Sequence, residues 1–235
     1  MDKDYALSLP TTSNDFNAYV DAAIINGEIS MDEWYELNKI YFTKSYLSQD
    51  NPRAQLGYGG DEFDFLYSRL LIVEAINKSG TFCDCGCANG HLLEVVHKWA
   101  AGVGFELQMY GVDISEGLIE FAQKRLPEWR ENFFVGNTHH YKPPLKFDFL
   151  HMRTLDFPQW LDKRAIFDHL MENYVADGGR MIIGSYNYEN VDPYHQQLLD
   201  WGISPTGYAE KTHNKKQNEM IKVMWIDKSS IKSHA

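Results

Sequence analysis

From Thr81 onward, short apolar runs of strand length alternate with stretches whose apolar residues recur at helical spacing. Strands separated by whole helices cannot pair as tight hairpins; they pair in parallel, and the helices cross over the faces of the sheet. Strands are expected at 81–85, 107–113, 132–136, 147–152 and 180–186. Between them, Leu92, Leu93, Val95, Val96 and Trp99 mark one helix face, and Leu118, Ile119 and Ala122 a second that stops before Pro127. Ile166, Phe167, Leu170, Met171, Tyr174 and Val175 form the clearest stripe, from about Lys163 to Val175, closed by Asp177-Gly178-Gly179. A helix near 193–201 leads to two strands, 206–211 and 220–227, joined by a polar loop and therefore antiparallel. The expected architecture is a three-layer α/β fold of five parallel strands finished by an antiparallel hairpin.

The first third of the chain carries no strand pattern. Phe16, Tyr19, Val20 and Ile24 recur at helical spacing up to Gly27, a C-terminal helix stop. Ser30 and Glu33 have capping-box spacing, and Trp34, Leu37, Ile40 and Tyr41 follow on one face. After the polar, Gly-rich loop 48–60, a third helix is expected over about 61–77, with Phe63, Leu66, Leu70, Val73 and Ile76 inward. The expected division is a helical cap or lid, 1–78, and an α/β domain, 79–235. The loop from Asn51 to Gly60, with its glycine hinges and polar tip, is the expected lid segment.

Charge narrows the function. With 33 Asp and Glu against 22 Lys and Arg the chain has a net charge of −11, which disfavours polyanionic partners such as nucleic acid and anionic lipid and favours neutral or cationic acceptors. The N-terminus lacks a basic, then apolar, export signal, and no apolar run approaches a membrane span. Cys83, Cys85 and Cys87 are the only cysteines. An odd number within five residues is no disulfide framework, matches no zinc template, and suits a reducing cytoplasm.

The chemistry is concentrated in Thr81–His91, where a strand enters a small-residue turn that opens a helix. Without bulky side chains, such a turn lets backbone N–H groups approach a ligand closely. The dinucleotide fingerprint G-x-G-x-x-G is met at Gly86 but not at Ala88 or His91. Asp84-Cys85-Gly86-Cys87-Ala88-Asn89-Gly90 instead resembles motif I, D-x-G-x-G-x-G, of class I S-adenosylmethionine-dependent methyltransferases, with Ala88 at the middle glycine. Tyr110–Ser115 resembles the second-strand motif, its Asp113 lying 29 residues after Asp84. Phe134–Thr138 resembles the third-strand motif with Asn137 at the acidic position, and 147–153 and 175–183 resemble the fourth strand and the approach to the fifth. The resemblance covers about 75–227 and rests on five motifs in order.

That resemblance implies a Rossmann-like methyltransferase fold with a seven-stranded, mostly parallel sheet. It implies S-adenosyl-L-methionine as cofactor, S-adenosyl-L-homocysteine as product, no metal, and direct in-line displacement of the methyl group by the acceptor. Asp84 and the turn Gly86, Cys87, Ala88 and Gly90 would hold the methionine end. Asp113 with Ile114 would hold the ribose, Asn137 and Thr138 the adenine, and Met152 would complete the cofactor set. Arg153, His151 and His140 are the candidates for catalysis. Arg153 and His151 lie where the fourth strand ends, at the sheet edge where ligands bind, although Arg153 could instead pair with Asp156. The expected acceptor is a small molecule; a noncatalytic cofactor sensor or scaffold, an RNA or protein methyltransferase, and a nicotinamide-dependent oxidoreductase are the competing readings.

Three features read as structural. Lys211, Lys215, Lys216, Lys222, Lys228 and Lys232 read as a solvated hairpin edge. Pro143-Pro144 reads as a loop ahead of the fourth strand, and His139 with His140 as a solvated loop. Trp34, Tyr35, Tyr41, Phe42, Tyr46 and Tyr58 are candidates to line an acceptor pocket, although an aromatic stripe at helical spacing more often packs as core, as Trp34 reads.

Overall fold

The computed structural model describes residues 13–153, 158 and 160–231. Lys232 and Asp156 lie outside these. Seven strands, β1 (Gly80–Cys85), β2 (Leu107–Asp113), β3 (Phe133–Val135), β4 (Phe147–Met152), β5 (Val175–Tyr188), β6 (Gly207–Thr212) and β7 (Met220–Asp227), form one sheet in the order β3-β2-β1-β4-β5-β7-β6. The first five pair in parallel, and β7 runs antiparallel to both β5 and β6. The parallel pattern and the closing hairpin are those expected from the sequence.

Residues along each strand alternate between two cores, as a pleated strand buried on both sides requires. Phe82, Met109, Phe149, Ile182 and Val223 face one core with α4 (His91–Gly102) and α5 (Glu116–Arg125). Cys83, Tyr110, Leu150, Ile183 and Met224 face the other with α6 (Lys163–Asn173) and α7 (Pro193–Asp200). Strand β5 starts at Val175 and not near 180. The backbone N–H of Phe147 donates to the Tyr174 carbonyl at 2.6 Å, and this pairing draws the Asp-Gly-Gly segment into the sheet across a register shift.

Two helices precede the sheet and share a core of their own. Helix α1 (Ser13–Ile25) ends at Gly27, and α2 (Met31–Leu47) starts at the Ser30–Glu33 capping box. Phe16, Val20, Ala23, Ile29 and Leu37 are buried between them, and Phe16 stacks on Tyr41 with centroids 3.9 Å apart. Helix α2 reaches the α/β body where the Thr43 and Ser115 hydroxyls meet at 2.6 Å, at the start of α5.

The third helix departs from expectation. Helix α3 covers Glu62–Arg69, capped by Asp61, and a 3₁₀ segment continues over Leu70–Ala75. Tightening from 3.6 to 3 residues per turn changes the phase of the apolar stripe. Leu70 is therefore exposed, as is Phe63 in the first turn of α3, whereas Phe65, Ile72, Val73, Ala75 and Ile76 are buried, and Asp64, Ser68 and Arg69 are buried with them. Phe65, Ile72, Ala75 and Ile76 join the core beneath α4, so this segment packs as part of the sheet's own layer.

Of the hairpin lysines, Lys215 and Lys216 keep the exposed edge expected of them, and Lys222 does not. Lys222 is 5% exposed, 2.9 Å from Asp192, with its ammonium over the Tyr208 ring. Lys215 reaches back to Asp61 and Asp64 at 2.8 and 2.6 Å. No helix among the described residues is long and apolar enough to cross a membrane.

The Tyr174 hydroxyl is buried without a hydrogen-bond partner among the described residues. Removing an unsatisfied buried polar group recovers its desolvation cost. Tyr174→Phe is expected to leave stability unchanged or raise it by about 1 kcal/mol, as read by denaturant unfolding.

Candidate functional site

The turn leaving β1 is built by its glycines and by one carboxylate. Gly86, Ala88 and Gly90 all have positive φ, +76°, +46° and +73°. At Gly90 a Cβ would also collide with Leu126 at 2.8 Å, whereas at Gly86 it would meet nothing within 4 Å. The N–H groups of Gly86 and Cys87 both donate to the Val112 carbonyl, at 2.8 and 3.2 Å. Asp113 then bridges the tips of two strands, accepting from Ala88 N–H and from Ser115 N–H, each at 2.9 Å. Burial pushes the Asp113 carboxyl up to about 6, against the pull of these two donors, and the Asp84 charge adds to the rise. The carboxylates of Asp84 and Asp113 thus both lie at the carboxyl edge of the sheet, where open α/β folds bind ligands.

Two pockets meet over this turn, and Gly86 lines both. On one side stand Asp113, Ile114, Asn137 and Thr138, walled by Trp34 and Tyr35 from α2. The Asn137 side-chain carbonyl accepts from His139 N–H at 3.1 Å, and the Tyr35 hydroxyl meets His139 Nδ1 at 2.6 Å. Burial, with the charges of His140 and His169, holds His139 down at about 4, so this ring is neutral near pH 7. On the other side of Gly86 stand Asp84, Cys85, Cys87, His151, Arg69 and Arg153, under Leu56 of the loop 48–60. That loop is tied to the turn by the Asn89 side-chain amide, which donates to the Pro52 carbonyl at 2.8 Å.

Beyond the second pocket lies a larger chamber of about 340 Å³. Arg69 and Arg153 line it as well, and so join the two spaces. Tyr58, Tyr186, Tyr194 and His213 complete much of its wall. A bare-backbone saddle with a carboxylate on each side suits one elongated, polar ligand, and the chamber beside it suits a second molecule.

Residues 76–232 match the family model described as a methyltransferase domain, which is two thirds of the chain. The chain belongs to this methyltransferase family. Solved structures agree on the fold. The 1,6-didemethyltoxoflavin N1-methyltransferase of Burkholderia thailandensis is similar with a TM-score of 0.59 and 13% identity, over 84% of this chain and 89% of that one. The magnesium protoporphyrin IX methyltransferase of Synechocystis gives 0.53 and 18%, over 81% and 96%. The N-methyltransferase NodS of Bradyrhizobium japonicum gives 0.52 and 13%, over 80% and 97%. No curated protein matches the chain in sequence.

The structure of this methyltransferase brings Asp84, Gly86, Cys87, Asp113, Ile114, Asn137 and Thr138 to the walls of the two pockets. Ala88 and Gly90 shape the turn without lining either, and Met152 is buried in the second core. Of the candidates for catalysis, Arg153 faces both the second pocket and the chamber. His151 is 2% exposed; its Nδ1 is 2.7 Å from Asp84 and its Nε2 meets the Gly184 carbonyl, so it has no free nitrogen with which to act as a base. His140 is exposed and lines none of these spaces. Tyr58 lines the chamber, Tyr35 lines the first pocket and so does Trp34, against its expected place in the core; Tyr46 is half-buried near Asp113 and Arg153, and Tyr41 and Phe42 pack on the core of the first two helices.

Sequence reasoning missed Arg69, Ser185, Tyr186, Tyr194, His213 and Asn214, all in the chamber wall. The signal for Arg69 was present. A guanidinium set in Phe65-Leu66-Tyr67-Ser68-Arg69-Leu70-Leu71-Ile72-Val73 is a charge inside an apolar run. The others come from three distant segments and have no local signature.

At φ +46° Ala88 occupies a conformation that costs a Cβ-bearing residue about 1–2 kcal/mol. Ala88→Gly is expected to stabilise the methyltransferase by up to about 1 kcal/mol once the greater entropy of the unfolded glycine is deducted, measured as a rise in Tm. Asp113 gives a pH signature. Its folded carboxyl holds a proton to higher pH than its unfolded one, so its contribution to stability falls as pH rises from about 4 through about 6. Compared with Asp113→Asn, which lacks this titration, the wild type is expected to lose about 2 kcal/mol of relative unfolding free energy between pH 4.5 and pH 7. Denaturant titrations at the two pH values test it.

Proposed function

We propose that this methyltransferase moves the methyl group of S-adenosylmethionine onto a small-molecule acceptor held in the chamber lined by Tyr58 and Arg153. The observation that carries the reading is the pair of pockets meeting at Gly86, with the chamber joined to one of them through Arg69 and Arg153. The residues fit such a cofactor. Gly86 leaves open space where any other residue would place a Cβ. Each Asp113 oxygen, already accepting one backbone bond, has a lone pair left for a ribose hydroxyl. Asn137 retains one carbonyl lone pair and one amide N–H for the adenine edge, its other N–H meeting the Tyr35 hydroxyl oxygen, with Thr138 beside it. Asp84 and the backbone from Gly86 to Gly90 take the methionine end.

S-adenosylmethionine, when bound, supplies an electrophilic methyl carbon on a sulfonium. The protein's own work is alignment and exclusion of water. Leu56 covers the second pocket, and the Asn89–Pro52 bond fixes the loop that carries it. Arg153 and Arg69, at the boundary between pocket and chamber, hold the acceptor toward the cofactor. No base is assigned, because an acceptor that arrives with a free lone pair needs none.

A chamber of about 340 Å³ is at the lower end of small-ligand cavities, which favours a metabolite or natural product over RNA or protein. The Burkholderia enzyme, crystallised with 1,6-didemethyltoxoflavin and S-adenosylhomocysteine, supports this by analogy of fold. The three free thiols support a reducing cytoplasm as its compartment.

Calorimetric titration with S-adenosylhomocysteine, beside NAD and NADP at the same salt concentration, tests the cofactor. Selective binding of S-adenosylhomocysteine is expected, weakened about 100-fold in Asp113→Ala through loss of two charge-assisted hydrogen bonds. Binding of a nicotinamide cofactor alone would sink the reading. Methyl transfer to any member of an acceptor library separates an enzyme from a sensor or scaffold.

A further inference from the structure

The arginines of the chamber differ from most others in the chain, the exposed Arg130 aside. Arg53, Arg125, Arg164 and Arg180 each face a carboxylate, at 3.6, 2.8, 2.9 and 2.8 Å. Among the described residues, no carboxylate is paired with Arg69 or Arg153; Asp84 shares the second pocket with both and its charge acts on Arg69, but it is held by His151 at 2.7 Å. Arg69 is 6% exposed, and its hydrogen bonds all run from Nη1, to Ser68 and to the hydroxyl and carbonyl of Ser185. Its guanidinium also lies 5.2 Å from the Tyr58 ring centroid and 5.7 Å from that of Phe65. These contacts leave Nε and Nη2 available to a ligand. Burial and the charge of Arg153 bring Arg69 down to about 10, still well above neutrality, so it stays a cation. A buried cation without a counter-charge is costly, and the same arrangement is favourable once an anion arrives.

The rest of the wall does not supply that anion. Asp64 is the carboxylate that lines the chamber, and it is already held by Lys215 at 2.6 Å and by the Asn214 amide. Tyr186 donates to Asp192 at 3.0 Å, and Asp192 is paired with Lys222 at 2.9 Å. His213 Nδ1 accepts the Lys215 backbone N–H at 3.0 Å, so a neutral His213 carries its proton on Nε2 and is a donor there. The cofactor does not balance the site either. In the second pocket its carboxylate can face one guanidinium and its ammonium Asp84, but the sulfonium leaves it a net cation, so positive charge beside the two arginines remains.

We propose that the acceptor carries an anionic group, a carboxylate or a phosphate, which seats between Arg69 and Arg153 in this chamber; the proposal rests on the methyl-transfer reading of the site. Paired guanidinium groups bind such oxyanions through parallel N–H···O bonds, and Tyr58, Tyr186 and Tyr194 offer ring faces to the remainder of a flat molecule. The anion fixes the acceptor's orientation and neutralises charge that would otherwise oppose binding of the cationic cofactor. Acceptor and cofactor then bind with positive cooperativity.

The test is calorimetric titration of the full chain with benzoate, its neutral isostere benzamide, and phenyl phosphate, each with and without saturating S-adenosylhomocysteine. Benzoate or phenyl phosphate is expected to bind at least about tenfold more tightly than benzamide, and whichever of the two binds better names the oxyanion. Arg153→Gln, at an exposed position that leaves the fold intact, is expected to bring that preference to within about threefold and to weaken benzoate more than it weakens S-adenosylhomocysteine. Arg69→Lys, which keeps the charge, is expected to retain part of it. Equal binding of benzoate and benzamide by the wild type overturns the anion site. Competition between benzoate and S-adenosylhomocysteine, both weakened alike in Arg153→Gln, would assign the arginines to the cofactor's carboxylate and also overturn it. Failure of S-adenosylhomocysteine to bind at all overturns the methyl-transfer reading beneath it, a separate result from either of these.

Discussion

The carboxylate of Asp113 is the tie on which the rest of the site depends. One oxygen holds Ala88 in the turn after β1, and the other holds Ser115 at the start of α5. The turn, the second-strand tip and the helix N-terminus are therefore fixed against a single buried group. Ser115 in turn meets Thr43 of α2, so the same bond network reaches the helical segment that walls the first pocket. The arrangement keeps an acidic group ionisable in a setting that disfavours its charge, and only backbone donors and a polar ligand make that charge acceptable. A ligand with hydroxyl groups relieves a cost already built into the folded protein.

Period and punctuation made the sheet legible. Strands buried on both faces are short apolar runs, crossover helices carry stripes, and Gly27 and the Ser30–Glu33 pair end and begin helices by local hydrogen bonding that needs no tertiary information. The third helix was not legible in phase, because a change to 3₁₀ geometry after Arg69 is set by packing under α4 and not by the local residues. Lys222 misled for a related reason. A lysine on a hairpin ordinarily faces water, and only the folded chain brings Asp192 and Glu210 to it. Most of the wall of the two pockets over the turn was readable because its residues sit in contiguous motifs, whereas the chamber is assembled from segments around 58–69, 153, 185–194 and 213–214.

Whole-chain charge and local charge point in opposite directions here. A net charge of −11 describes the field far from the surface, where it weakens association with polyanions. Inside a closed cavity the nearest fixed charges dominate, because water screens them less. Arg69 and Arg153 therefore decide what the chamber accepts, while the acidic exterior decides what approaches it. A small monoanion crosses such a field at little cost, and a long polyanion does not.

The Lys215 bridge to Asp61 and Asp64 joins the last hairpin to the helix that leads into the sheet. His213 and Asn214, which close the chamber, sit beside it. During synthesis the residues lining the two pockets over the turn are all in place once Arg153 has emerged, but the acceptor's enclosure waits for some sixty more residues. The order of the chain thus separates, in the proposed reading, the donor's seat from the acceptor's enclosure. On that reading, changes confined to the terminal hairpin reshape what is methylated and leave the earlier pockets untouched.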